Sequence, residues 1–133
     1  MTKTAQISLN VNGERYVEDV SVRMNLADFL RTRLGLTGTH VGCEHGVCGA
    51  CTLFLNGVTA RSCLALAVQA DGAVITTIEG YETDKNASDL IKNFHNRNAL
   101  QCGYCTPGML ATSIEYIERG NPADLSLIHI SEP

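Results

Sequence analysis

Cys43, Cys48, Cys51 and Cys63 place four thiols in one short stretch of the chain. The first three are separated by four and then two residues, Cys43-Glu-His-Gly-Val-Cys48-Gly-Ala-Cys51, and eleven residues later comes Cys63. A cluster of two irons and two bridging sulfides needs four converging thiolates, and a four-then-two spacing is the plant-type way of delivering three of them. Gly42, Gly46 and Gly49 are expected to give this loop backbone conformations closed to other residues, and to let amide N–H groups approach the sulfurs. A second pair, Cys102-Gly-Tyr-Cys105, precedes Thr106-Pro107, where a helix start would favour thiolate. Two thiols do not complete a second cluster site, and no cysteine remains to add to them.

Other chemistries fit less of the pattern. Disulfides are arithmetically possible, but no export signal precedes them and the thiols lie two residues apart. A zinc site from Cys48, Cys51, Cys102 and Cys105 has acceptable spacing, yet it strands Cys43 and Cys63. A Rieske centre needs two histidine ligands at matching positions, which the sequence lacks. His45 reads as a solvent-facing loop residue, and His40 and His95 as surface or packing residues. Tyr104 is expected to pack against a helix bundle.

The elements that must position these thiols can be read from periodicity. Ile7 to Val11 alternates, Asn12-Gly13 offers a two-residue turn, and Tyr16 to Val20 returns, which makes a β-hairpin. Asn25 caps a helix with Leu26, Phe29, Leu30 and Leu34 on one face and Gly35 as its stop. A second hairpin is expected from Cys51 to Leu55, Asn56-Gly57 and Val58 to Arg61, and a further strand from Ala73 to Ile78. Beyond Gly80 the texture is helical. One helix starts at Asp84 or Ser88 and runs to about Arg97. The next has Thr106 as N-cap and Pro107 at its first position, with Met109, Leu110, Ser113, Ile114 and Ile117 inward, Glu115 and Glu118 outward, and Gly120 ending it. The expected class is α+β, with a boundary near Gly80.

A formal charge of -4 and 44% hydrophobic residues describe a folded chain with no basic footprint for nucleic acid or anionic membrane. No stretch suits membrane insertion, and the first twenty residues show no export signal, so a cytoplasmic location is expected.

At Cys43 to Cys63, Leu100-Gln-Cys-Gly-Tyr-Cys-Thr-Pro-Gly-Met109 and Ile75-Thr-Thr-Ile-Glu-Gly80, the sequence resembles the small iron-sulfur subunit of the molybdenum hydroxylases. That family includes xanthine dehydrogenases, aerobic carbon monoxide dehydrogenases and aldehyde oxidoreductases, and the resemblance covers Ile7 to Ala123. It implies a β-grasp, plant-type 2Fe-2S ferredoxin-like domain over residues 1–80 and an α-helical 2Fe-2S-binding bundle over residues 81–124. Cys43, Cys48, Cys51 and Cys63 would hold the first 2Fe-2S cluster, and Cys102 and Cys105 would be two of four ligands of the second. Gln101 would contact the pterin of a molybdenum cofactor held by a partner large subunit. The implied function is electron transfer from that cofactor through the clusters to a FAD-binding medium subunit or an external acceptor, with no substrate-converting residue in this chain. The alternative is a stand-alone 2Fe-2S ferredoxin.

The family's two remaining ligands lie on a later Cys-x-Cys turn, and this chain runs into Leu125 before reaching one. Leu125 to Pro133 matches a translated sequencing adapter, so residues 125–133 are expected to be a scar. An incomplete bundle is expected to leave Leu110, Ile114 and Ile117 on an exposed apolar face, with the C-terminal part unstable alone.

Overall fold

The computed structural model describes residues 2–120 of the 133. The expected scar, 125–133, lies outside the described residues. Two hairpins open on the same chemistry. Asn12 and Gly13 (φ 53° and 87°) join β1 (Thr4–Val11) to β2 (Glu14–Ser21), and Asn56 and Gly57 (φ 51° and 82°) join β3 (Thr52–Leu55) to β4 (Val58–Arg61). Both central residues are left-handed, the geometry that matches strand twist in a two-residue turn. A short strand, β5 (Val74–Thr76), runs parallel to β1 and antiparallel to β3, giving the mixed order β2-β1-β5-β3-β4.

β5 ends earlier than the expected Ala73 to Ile78. After Thr76 the Asn12 side chain replaces the ladder: its Oδ1 accepts from Thr77 N at 2.9 Å and its Nδ2 donates to Thr77 Oγ1 at 2.8 Å. Ile78 then opens a 3-10 turn, Ile78–Thr83.

One sheet face carries the main core. Ile7, Leu9 and Val11 of β1 alternate inward and meet Leu53, Ile75 and the helix that crosses the sheet. That helix begins as α1 (Leu26–Asp28), capped as expected by Asn25, whose Oδ1 accepts from Asp28 N at 2.8 Å. It continues as a π-wound segment, Phe29–Arg33, with Leu34 N donating to Phe29 O. Thr32 Oγ1 takes up the Asp28 carbonyl at 2.7 Å, so the ordinary ladder gives way there. The winding keeps Phe29 and Leu30 buried, and Gly35 (φ 71°) ends it.

The two later helices close a second, smaller core. α2 (Lys85–Asn96) is capped by Asp84, and α3 (Thr106–Glu118) follows. The α3 cap is Cys105 and not Thr106, because the Cys105 carbonyl already accepts from Met109 N at 3.1 Å. Pro107 is therefore one position further into the first turn than expected. Gly120 (φ 70°) stops the helix.

Two expectations for α3 are corrected. Leu110 and Ile114 are buried, each 3% exposed, against Phe54 of β3, Tyr81 and Ala87, and of the three residues expected on an open face only Ile117 is exposed. The sheet, the Ile78–Thr83 turn and α2 together supply the cover that later helices were expected to give. Glu115 points inward and not outward, because α3 lies along the sheet's outer strand, where Glu115 accepts from Thr59 N at 3.1 Å and Thr59 Oγ1 at 2.7 Å.

Candidate metal centre

The loop from Thr39 to Ala50 has no regular secondary structure, and its ends are anchored by side chains. At its start, Arg31 Nη1 donates to the Thr37 and Thr39 carbonyls at 2.7 and 3.0 Å, and Gly38 N donates to Glu79 Oε1 at 2.7 Å. At its end, Thr52 Oγ1 donates to Gly49 O at 2.6 Å and accepts from Arg61 Nη1 at 2.7 Å. The hairpin explains the long gap before the fourth cysteine. The four residues of β3, the Asn56-Gly57 turn, the four residues of β4 and Ser62 fill the interval between Cys51 and Cys63. Thr52 pairs with Arg61, and beyond that pair Ser62 N and Oγ bond to the Cys51 carbonyl at 3.3 and 2.7 Å. Cys63 is thereby returned to Cys51, both buried at the sheet's end.

Within the loop, Gly46 and Gly49 hold φ of 85° and 72°, as expected, and Glu44 also takes the left-handed region at 58°. Gly42 has a different role from the one expected of it. Its φ is not positive, but an added Cβ would stand 3.0 Å from Cys48 Sγ, so it makes room for the sulfur. Amides point at sulfur: Cys48 N and His45 N donate to Cys43 Sγ at 3.4 and 3.5 Å, and Ala50 N donates to Cys48 Sγ at 3.5 Å. The Cys48 and His45 amides bring the Cys43 thiol down to about 6. Cys63 moves the other way, to about 11, through burial and the neighbouring Cys51 thiol. A coordinated metal reverses that penalty, since a ligating thiol is deprotonated outright.

All six cysteines are free thiols. Among the described residues no three His, Cys, Asp or Glu side chains converge on a single-ion site, the zinc set Cys48, Cys51, Cys102 and Cys105 included. The first four thiols fall into two pairs by position. Cys43 and Cys48 lie on the loop, with amides directed at both sulfurs. Cys51 and Cys63 lie at the end of the hairpin, joined through the bonds of Ser62 to the Cys51 carbonyl. Two pairs of thiols with amides directed at sulfur suit a binuclear iron-sulfur group, which takes four cysteines in all.

The second motif is clasped to the first. Tyr104 stacks on His40, with centroids 4.5 Å and planes 12° apart, and its hydroxyl donates to Val41 O at 2.7 Å. His40 Nδ1 donates to Tyr104 O at 2.7 Å, which fixes the proton on that nitrogen. Tyr104 therefore packs on the first cysteine loop and not on the helices. The start of α3 abuts the same loop at Gly108, where any Cβ would overlap Gly49 O. Cys48, Gly49, Cys105, Gly108 and Met109 line a cleft of about 210 Å³ between the motifs. Cys102 and Cys105 are exposed, and with Gln101, also exposed, they line an open hollow of about 440 Å³. His45 is exposed, as expected, with Nδ1 2.6 Å from Cys43 O. Sequence reasoning missed the joint role of His40, Tyr104 and Gly108, because no local pattern brings residues this far apart together.

Comparison with known proteins decides the family. A 2Fe-2S iron-sulfur cluster binding domain family matches residues 14–101, and a 2Fe-2S binding domain family matches residues 77–129. The chain is 58% identical over 106 residues to the caffeine dehydrogenase subunit gamma of Pseudomonas sp. (strain CBB1), covering 80% of this chain and 64% of that protein. The chain belongs to the small iron-sulfur subunits of the molybdenum hydroxylases. Within this family it is also 48% identical over 118 residues to the nicotine 6-hydroxylase small subunit of Paenarthrobacter nicotinovorans, 89% of this chain and 70% of that one. This iron-sulfur subunit also resembles the crystal structure of quinoline 2-oxidoreductase from Pseudomonas putida 86, with a TM-score of 0.77 and 41% identity over 98% of this chain and 92% of that one. The chain spans about two thirds of the length of the caffeine dehydrogenase and nicotine 6-hydroxylase subunits. Among the described residues no helix is long and apolar enough to cross a membrane.

Proposed function

We propose that this chain is the electron-transfer subunit of a molybdenum hydroxylase, with Cys43, Cys48, Cys51 and Cys63 as ligands of a 2Fe-2S cluster. Cys102 and Cys105 provide two ligands of a second cluster, and Gln101 faces a molybdenum-pterin cofactor held by a partner large subunit. When bound, the clusters supply one-electron steps between that cofactor and a FAD-binding subunit or external acceptor. The residues of this chain ligate, bury and tune. Amides of His45, Cys48 and Ala50 offset negative charge on sulfur, and β3 and β4 hold Cys51 and Cys63 away from water. The first-cluster unit is residues 1–80 and the second is residues 81–124, the two sharing the Gly49–Gly108 contact.

The observation that carries this reading is the return of Cys63 to Cys51 by the β3–β4 hairpin, beside a loop whose amides point at Cys43 and Cys48. The test is metal analysis of the native-length protein. About four irons and four sulfides, with two distinct reduced 2Fe-2S signals in electron paramagnetic resonance, are expected. Zinc in place of iron overturns the reading.

A further inference from the structure

The two cysteine motifs meet at two places. At one, His40 and Tyr104 stack and exchange hydrogen bonds with each other's backbone neighbourhood, from His40 Nδ1 to Tyr104 O and from Tyr104 Oη to Val41 O. At the other, Gly108 lies directly on Gly49, whose carbonyl also accepts from Thr52 N and Oγ1. One contact pulls the second loop in, and the other limits how close it comes. Between them Cys48 and Cys105 face the same narrow cleft.

We propose that His40 and Tyr104 are positioning residues that fix the separation of the two metal centres, with the Gly49–Gly108 contact as their stop. The inference rests on the two-cluster reading above. Tyr104 lies between Cys102 and Cys105, so holding its ring and hydroxyl holds the backbone of both. Val41 and His40 lie just before Cys43, so the strain of any movement passes directly to the first loop. Tyr104 remains 48% exposed, and burial alone does not hold it there. The directed bonds do, and a neutral hydrogen bond or an aromatic stack each shifts such an opening equilibrium by about 2- to 10-fold.

The experiment has two arms. In this chain, backbone hydrogen exchange at Thr106 and Met109, whose amides donate to Gly103 O and Cys105 O, should quicken by about 2- to 10-fold in Tyr104→Phe, which keeps the stack, and by more in His40→Ala, which loses it and a bond. Exchange in β1 and α1 should stay unchanged. In the native-length protein with its clusters reduced, the magnetic coupling between the two signals should be weaker in both variants, while iron and sulfide per chain stay as in the unsubstituted protein. Unchanged exchange at Thr106 and Met109, or unchanged coupling between two intact clusters, overturns the positioning role and leaves the two-cluster reading standing. A single cluster in the unsubstituted native-length protein overturns both.

Discussion

Glu115 of α3 reaches the outer strand of the sheet and accepts from both the amide and the hydroxyl of Thr59, at 3.1 and 2.7 Å. A single carboxylate thus covers an edge N–H group and fastens the second half of the chain to the first. Arg119 adds an ion pair at 2.9 Å along the helix.

This junction is sensitive to acid. Burial opposes ionisation of Glu115, but the Thr59 bonds and Arg119 outweigh it, and its carboxyl is held below the ordinary value of 4.5. The folded state therefore gains stability from Glu115 in full above that ordinary value, and loses it as pH falls through the depressed one. Glu115→Ala should cost about 1–3 kcal/mol at neutral pH. In urea titrations, the gap between the two proteins should close in acid.

The contact between α3 and the first cysteine loop has no spare space. Gly108→Ala should destabilise by about 1–3 kcal/mol, since Gly49 O is held by Thr52 and cannot retreat. Leu110→Ala, in the core beneath, should cost about 2–5 kcal/mol. Both are read from urea midpoints, and a surface control at the exposed Ile117 should change little.

Much of this arrangement is legible in the sequence, and the exceptions share a cause. Asn12-Gly13 and Asn56-Gly57 mark both hairpins because their left-handed preference is local, and the Asn25 cap is local too. The four-then-two spacing marks the loop because ligand geometry constrains neighbours along the chain. Long-range partners decide the rest. Glu115 looks solvent-facing by helical period, and only the path of α3 along β4 turns it inward. The early end of β5 depends on Asn12, sixty-five residues from Thr77. His40 and Tyr104 are separated by sixty-four positions, so neither motif announces the other.

In the metal-free protein the thiols should differ in reactivity. Cys43, brought to about 6 by the Cys48 and His45 amides, should alkylate with half its maximal rate near that pH. Cys63, pushed to about 11 by burial and by Cys51, should be labelled last at neutral pH. Mass spectrometry of iodoacetamide-treated protein across a pH series measures both, and equal rates for the two thiols would contradict this electrostatic account.

The central claim is that Cys43, Cys48, Cys51 and Cys63 hold one 2Fe-2S cluster, with Cys63 delivered by the β3–β4 hairpin. Its most direct test compares iron, sulfide and the reduced electron paramagnetic resonance signal of this chain with those of Cys63→Ala. The account predicts about two irons and two sulfides with a 2Fe-2S signal in the unsubstituted chain, and loss of that signal in the variant. An unchanged cluster signal in Cys63→Ala, or zinc bound in place of iron, would contradict it.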